Sequence, residues 1–363
     1  ILLNRYHQWQ LPKHLESLDK RAQKAISQKE IKPSTEQLAR LHAARYEYSV
    51  ANRREGTQAL KQWILYNEQA HCAEKLQLAC LAWAESTLNK EVFEIPFLPE
   101  VIKEVEKYDW QEIPQIGAYY FCYQALRSKP ETGYFEVLIQ RLETYQQELK
   151  TETLRSIYLL ALNFCIRRYN AGDKAYLQTE FDLYRASLEA GHLFSEGKLS
   201  RFTYRNIVTV CLALRQIEYG IEFTAYYQDY VEAPFATSSF HFNMARLCHF
   251  QQQYHAALDH LQQTEFEELF VQLAARVTQV KIYFETEEVD LFLNQIQNLK
   301  KFLYRKKKRI GYHLENYQQF LKHAERLIEF DYWSKEKQQG FIRQIQETPN
   351  LAEREWLLLQ SQA

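Results

Sequence analysis

The most regular stretch of the hydrophobic and polar pattern runs from Arg201 to Leu293, where it reads as helical hairpins laid in register. Asn206-Ile-Val-Thr-Val-Cys211 is answered 37 positions on by Asn243-Met-Ala-Arg-Leu-Cys248. The same shift carries Ile217 to Tyr254, Gly220 to Ala257 and Ile221 to Leu258. A third copy follows at a shift of 35, taking Cys248 to Tyr283, Tyr254 to Val289 and Leu258 to Leu293. A period in the mid-thirties with two helices per period predicts a helical solenoid.

Elsewhere the pattern is helical but irregular. Residues 1–31 read as two short helices divided at Pro12. Ser34 and Gln37 form a capping box behind Pro33. The helix they open carries Leu38, Leu41, Ala44 and Tyr48 on one face and breaks at Asn52-Arg-Arg-Glu-Gly56. Residues 57–89 stay helical, with a bend expected near His71 and an apolar side of Trp63, Tyr66, Leu76, Leu78, Leu81 and Trp83. Glu94-Ile-Pro-Phe-Leu-Pro99 reads as an extended crossover, because each proline removes an amide donor and restricts the residue before it. It is the softest place for a subdomain boundary. Helices follow at 99–107, 114–128, 131–149, 152–170 and 173–190, then a loop at 191–197. After the hairpins come helices at 312–330, 334–346 and 351–360. The last carries Trp356-Leu-Leu-Leu359 in a row and must dock, most simply as a cap on the stack. The expected regions are 1–93, 94–200, 201–311 and 312–363, within one continuous solenoid.

Composition supports helices. The 363 residues hold nine glycines and eight prolines, too few for many tight turns. Aromatics make up 14%, read as wedges between stacked helices. The formal net charge of -1 points to neither a nucleic acid nor a membrane partner. Cys72, Cys80, Cys122, Cys165, Cys211 and Cys248 form no C-x-x-C pair and read as buried thiols of a reducing compartment, the cytoplasm. No signal peptide and no apolar run of membrane length stands out. The chain opens at Ile1 without Met. This fits missing preceding residues, a piece of a longer protein, or a removed leader.

Residues Ser238 to Thr264 resemble a tetratricopeptide repeat. His241 and Ala245 stand at the large and small positions of its first helix, Tyr254 and Ala257 at the aromatic and small positions of its second. The preceding copy matches through Tyr204, Val208, Ile217 and Gly220. The third departs, with Arg276, Val280 and Val289 in place but bulky Phe292 where a small residue belongs. The crossover and aromatic load also resemble a set of large bacterial proteins of tetratricopeptide-like build, which brings no activity with it. The resemblance implies an all-α, right-handed superhelix of helical hairpins whose first helices line a concave groove.

On that groove the resemblance places Asn206 and Asn243, with Asn163 in a similar helix upstream. A side-chain amide there can pair with an extended peptide or its terminal carboxylate, or it can bond the neighbouring hairpin. Arg205, Arg246 and Lys281 would make the strip positive, suited to an acidic segment, although Thr209 and Thr278 occupy two groove places where basic residues are usual. A second cluster, Lys300, Lys301, Arg305, Lys306, Lys307, Lys308 and Arg309, is interleaved with Phe302, Tyr304 and Tyr312. It could contact a polyanion. It also reads as the basic end of a helix that begins with Glu285, Glu287, Glu288 and Asp290, as the helix dipole favours. No catalytic motif is found. His255 and Asp259, four apart, are two potential ligands and not a metal site, and adjacent Cys248 and His249 point about 100° apart on a helix. No cofactor is expected. The functional expectation is a protein–protein interaction scaffold or adaptor. A peptide-gated regulator and a nucleic-acid-binding repeat protein are the alternatives.

Overall fold

The computed structural model describes residues 40, 42–45, 47–48, 55–89, 91–129, 132–263, 268–311 and 313–362. It is all-α, with almost no sheet. The chain divides into two compact units, 1–194 and 195–363. The helices expected within 1–31, the Ser34–Gln37 capping box and Asn52 to Arg54 lie outside the described residues.

The first unit contains helices α1 (Glu55–Asn89), α2 (Leu98–Lys107), α3 (Pro114–Arg127), α4 (Tyr134–Glu148), α5 (Thr151–Asn170) and α6 (Tyr176–Glu189). Ala44, on the helical turn before α1, is buried. α1 runs unbroken past His71. Its buried face matches the expected one in part, with Leu76 buried and Trp63, Tyr66 and Trp83 half-buried. Ala59, Cys72, Ala73, Leu76, Ala79 and Cys80 are buried, whereas Leu78 and Leu81 are exposed. The 100° step between helix residues puts Cys72, Ala73, Leu76 and Ala79 on one side. Small side chains there let α3 approach until Cys80 Sγ lies 3.5 Å from the Tyr119 carbonyl. α1 and α3 thus pack together from either side of the 94–99 crossover, within one unit. The crossover has no regular structure to Ile95 and turns at Pro96 and the left-handed Phe97, and Pro99 stands in the first turn of α2, where its missing amide costs nothing.

The second unit holds the repeating hairpins: α7 (Arg201–Ala213) with α8 (Ile217–Tyr227), α9 (Ala236–Phe250) with α10 (Tyr254–Gln262), and α11 (Leu269–Glu285) with α12 (Val289–Ile310). α7 also packs on α9, and α9 on α11. The three hairpin turns share one geometry at the sequence period. Arg215, Gln252 and Glu287 are all left-handed, with φ of 58°, 59° and 59°. In each turn the next amide bonds back to the residue of the Cys211, Cys248, Tyr283 series: Gln216 N to Cys211 O at 2.8 Å, Gln253 N to Cys248 O at 2.9 Å, Glu288 N to Tyr283 O at 2.9 Å. This is the Schellman closure, which satisfies carbonyls that a helix end leaves orphaned.

Small residues set the hairpin spacing. Ala245 and Ala257 are fully buried. A Cβ on Gly220 would lie 2.9 Å from Leu247 Cδ2 and 3.3 Å from Cys211 Cβ. Phe292, bulky at the equivalent place, is accommodated in the large core that α11 and α12 share with α13 (His313–Leu327), α14 (Lys335–Glu347) and α15 (Arg354–Gln360). Trp356 and Leu357 of α15 are buried in that core.

Candidate functional site

Thr209, Arg246 and Lys281 hold equivalent places on α7, α9 and α11, and the fold stacks them in one row. Arg246 Nη2 donates to Thr209 Oγ1 at 3.1 Å, across the 37-residue repeat. Lys281 Nζ pairs with Glu353 Oε2 at 3.0 Å.

Three residues earlier in each helix, the Asn206, Asn243, Thr278 row behaves differently. Asn206 is exposed. Asn243 is completely buried, and its Nδ2 donates to the Tyr204 carbonyl of α7 at 3.2 Å. Tyr204 in turn donates its hydroxyl to the Thr224 carbonyl of α8 at 2.6 Å. Thr278 is buried and donates to Ala274 O at 2.9 Å, one turn back in its own helix. The two asparagines that look equivalent in sequence are therefore not equivalent in place. Asn243 lies between first helices, whereas α7 has no earlier first helix within the second unit. Asn163, in the first unit, is exposed on α5.

Acidic residues that the sequence pattern did not mark meet the basic strip. Arg205 pairs with Glu268 at 2.9 Å, and Arg201 reaches the same carboxylate at 2.5 Å and Glu232 at 3.3 Å. Arg201 also lies over the Phe235 ring, 3.7 Å from its centroid. It was the one addition legible in the pattern, one turn before Arg205 on α7. Glu353 was not legible, being 72 positions from Lys281. Beyond Lys281, Glu285 accepts from Trp356 Nε1 at 2.5 Å and lies 2.9 Å from His249 Nε2. Burial pushes the Glu285 carboxyl up, but the hydrogen bonds from His249 and Trp356 and the charge of Lys281 outweigh it and hold it below its ordinary value.

The strip is consequently a face of paired charges, with one exception. Of Arg205, Arg246 and Lys281, only Arg246 has no carboxylate within ion-pair distance among the described residues. Burial pulls its guanidinium down to about 10, Glu353 opposes this from a distance, and Arg205 adds to it. It remains a cation at neutral pH, partly stripped of water and without a counter-ion, a costly state that an incoming carboxylate would relieve.

The second basic cluster lies apart from that row, at the C-terminal end of α12. Lys300 pairs with Glu325 at 2.6 Å, Arg305 Nε donates to its own helix at Lys301 O, and Lys307 lies 5.2 Å from the exposed Tyr304 ring. Lys301, Lys308 and Arg309 are exposed and Lys306 partly so, while Phe302 faces the core. The acidic start of this helix is shorter than expected. α12 begins at Val289, so Glu285 closes α11, Glu287 is in the turn, Glu288 caps, and Asp290 alone lies in the first turn. The other candidate groups do not converge. His255 and Asp259 form an exposed pair at 3.2 Å, and no group of three potential metal ligands occurs among the described residues. All six cysteines are free and buried, and burial pushes the Cys72 thiol up to about 11 and Cys211 up to about 12. Such thiols are poor nucleophiles at neutral pH. No helix among the described residues is long and apolar enough to cross a membrane. Compared with known proteins, the chain matches no family model, no curated protein and no solved structure.

Proposed function

We propose that the chain is a tetratricopeptide-like, right-handed superhelical solenoid that works as a cytoplasmic scaffold or adaptor. It would bind an acidic segment of a partner protein along the face formed by α7, α9 and α11. The observation that carries this reading is Arg246, a partly buried cation with no carboxylate at ion-pair distance among the described residues, in a strip whose other cations, Arg205 and Lys281, are paired. A partner carboxylate placed there would make a charge-assisted hydrogen bond to a group already held in position by Thr209. Asn206, exposed on the same helix as Arg205, is available to an extended backbone, whereas Asn243 serves the stack and is withdrawn from this role.

The test compares the tagged chain with its Arg246→Gln variant in affinity purification from the native cell, with folding checked by circular dichroism. A charge-assisted bond contributes about 1.5–3 kcal/mol, so the captured stoichiometric partner should bind the variant about ten- to hundred-fold more weakly. A partner retained equally by the folded variant would overturn the reading.

A further inference from the structure

The Lys281 end of the same face is already met by a segment of the chain itself, which packs mainly on α13 and α14. Residues 350–360 reach that end through two side chains spaced three apart: Glu353 pairs with Lys281, and Trp356 donates its indole N–H to Glu285. Lys281 and Glu285 are themselves four apart on α11, so the pairing matches one turn of α11 to one turn of α15. Around this polar rail the Trp356 ring meets Phe284 of α11 at 5.6 Å and Phe320 of α13 at 6.0 Å. The docked segment is short and held in an uncomfortable backbone. α15 has seven residues, and Asn350 and Glu353 before it both adopt left-handed φ, 50° and 53°. That conformation is unfavourable for Glu353 and tolerated by Asn350. A helix this short has no stability of its own and holds its shape only while docked.

We infer that α15 is a resident, exchangeable occupant of the partner face, and that the partner segment it stands in for carries an acidic residue followed three positions later by an aromatic with an N–H or O–H donor. This rests on the proposed scaffold reading and deepens it. Glu353 is the nearest thing Arg246 has to a counter-charge, since it favours the charged guanidinium without reaching it. A segment that puts one carboxylate at Lys281 in place of Glu353 and another at Arg246 would displace α15. Release of the tail then accompanies partner binding, which makes the face available only to a segment that outcompetes residues 350–360.

Two measurements test this. Hydrogen exchange on the full chain should show the α15 amides opening at least tenfold faster than those of α13 and α14, through local undocking. In the second, a fluorescent synthetic peptide of residues 349–363 is titrated into a chain ending at Thr348. It should bind the shortened chain more tightly than the full chain, where α15 competes for the same place, and Glu353→Ala in the peptide or Lys281→Ala in the protein should each weaken it at least tenfold. Protection of α15 equal to that of α13 would make it a fixed cap and overturn the inference. So would a folded shortened chain that ignores the peptide. If shortening unfolds the protein, the exchange result alone decides. The scaffold reading is judged by the captured partner and Arg246, so either can fail without the other.

Discussion

At the scale of single residues, two asparagines 37 positions apart illustrate how far a repeat can be read. Both are polar residues in the first helix of a hairpin, and pattern alone assigns them one role. Asn243 is instead buried, with one hydrogen bond to the Tyr204 carbonyl and no donor to its Oδ1 among the described residues. Replacing it by Ala removes the bond and leaves a small void between α7 and α9, so Asn243→Ala should lower stability by about 1–3 kcal/mol in urea denaturation. Asn206→Ala, at an exposed site, should stay within about 0.5 kcal/mol of the parent. Equal losses at both sites would show that Asn206 too is held within the stack. The face residues divide the same way. Arg205, Arg246 and Lys281 were legible from charge and spacing, but their partners Glu268 and Glu353 were not, because nothing local in the sequence links them.

At the scale of the element, the hairpin is where local chemistry and packing agree. Its turn asks for a left-handed residue, and Arg215, Gln252 and Glu287 comply without the freedom of glycine. Its second helix asks for a small residue, supplied by Gly220 and Ala257. Two substitutions should therefore act in opposite directions. Gln252→Gly relieves a left-handed side chain and should stabilise by up to about 1 kcal/mol. Gly220→Ala places a Cβ 2.9 Å from Leu247 Cδ2, which must move, and should destabilise by about 1–3 kcal/mol. Paired urea midpoints check both signs, and a neutral Gly220→Ala would mean that Leu247 gives way freely. The face of α1, where Leu76 is buried but Leu78 and Leu81 are not, belongs at this scale as well. The large apolar Leu78 and Leu81 are exposed, whereas the buried side of α1 is built mostly of small residues around Leu76 at helical spacing.

At the scale of the molecule, each unit encloses buried polar groups that its cooperative folding must carry. In the first unit the clearest is Glu180 of α6, 3% exposed, whose carboxyl burial pushes up to about 7 from an ordinary 4.5. Because the folded state keeps a proton that the unfolded chain releases, stability is highest below pH 4.5 as far as this group is concerned. It falls as pH rises from 4.5 to 7 and bears the full cost above 7. A shift of this size corresponds to about 3 kcal/mol. Glu180→Gln should thus stabilise the first unit by about 1–3 kcal/mol at pH 8 and leave it nearly unchanged at pH 5, read from unfolding at the two pH values. An effect independent of pH would mean that the carboxyl titrates in its ordinary range.

What the sequence by itself determined was the set of helices in the described residues and the register of the three hairpins. Both follow from interactions between residues a few positions apart: apolar spacing, turn closure and the recurrence of small residues at a fixed period. Tertiary structure alone decided which side chains of the repeat face a neighbouring helix, as Asn243 does, and which face outward, as Asn206 does. It also decided how the charges are neutralised and which segment lies against them. Those outcomes depend on groups brought together from far along the chain, Glu268 to Arg205 and Glu353 to Lys281. A helical period specifies the face a residue occupies, but the distant residue that meets it there is set by how the helices stack.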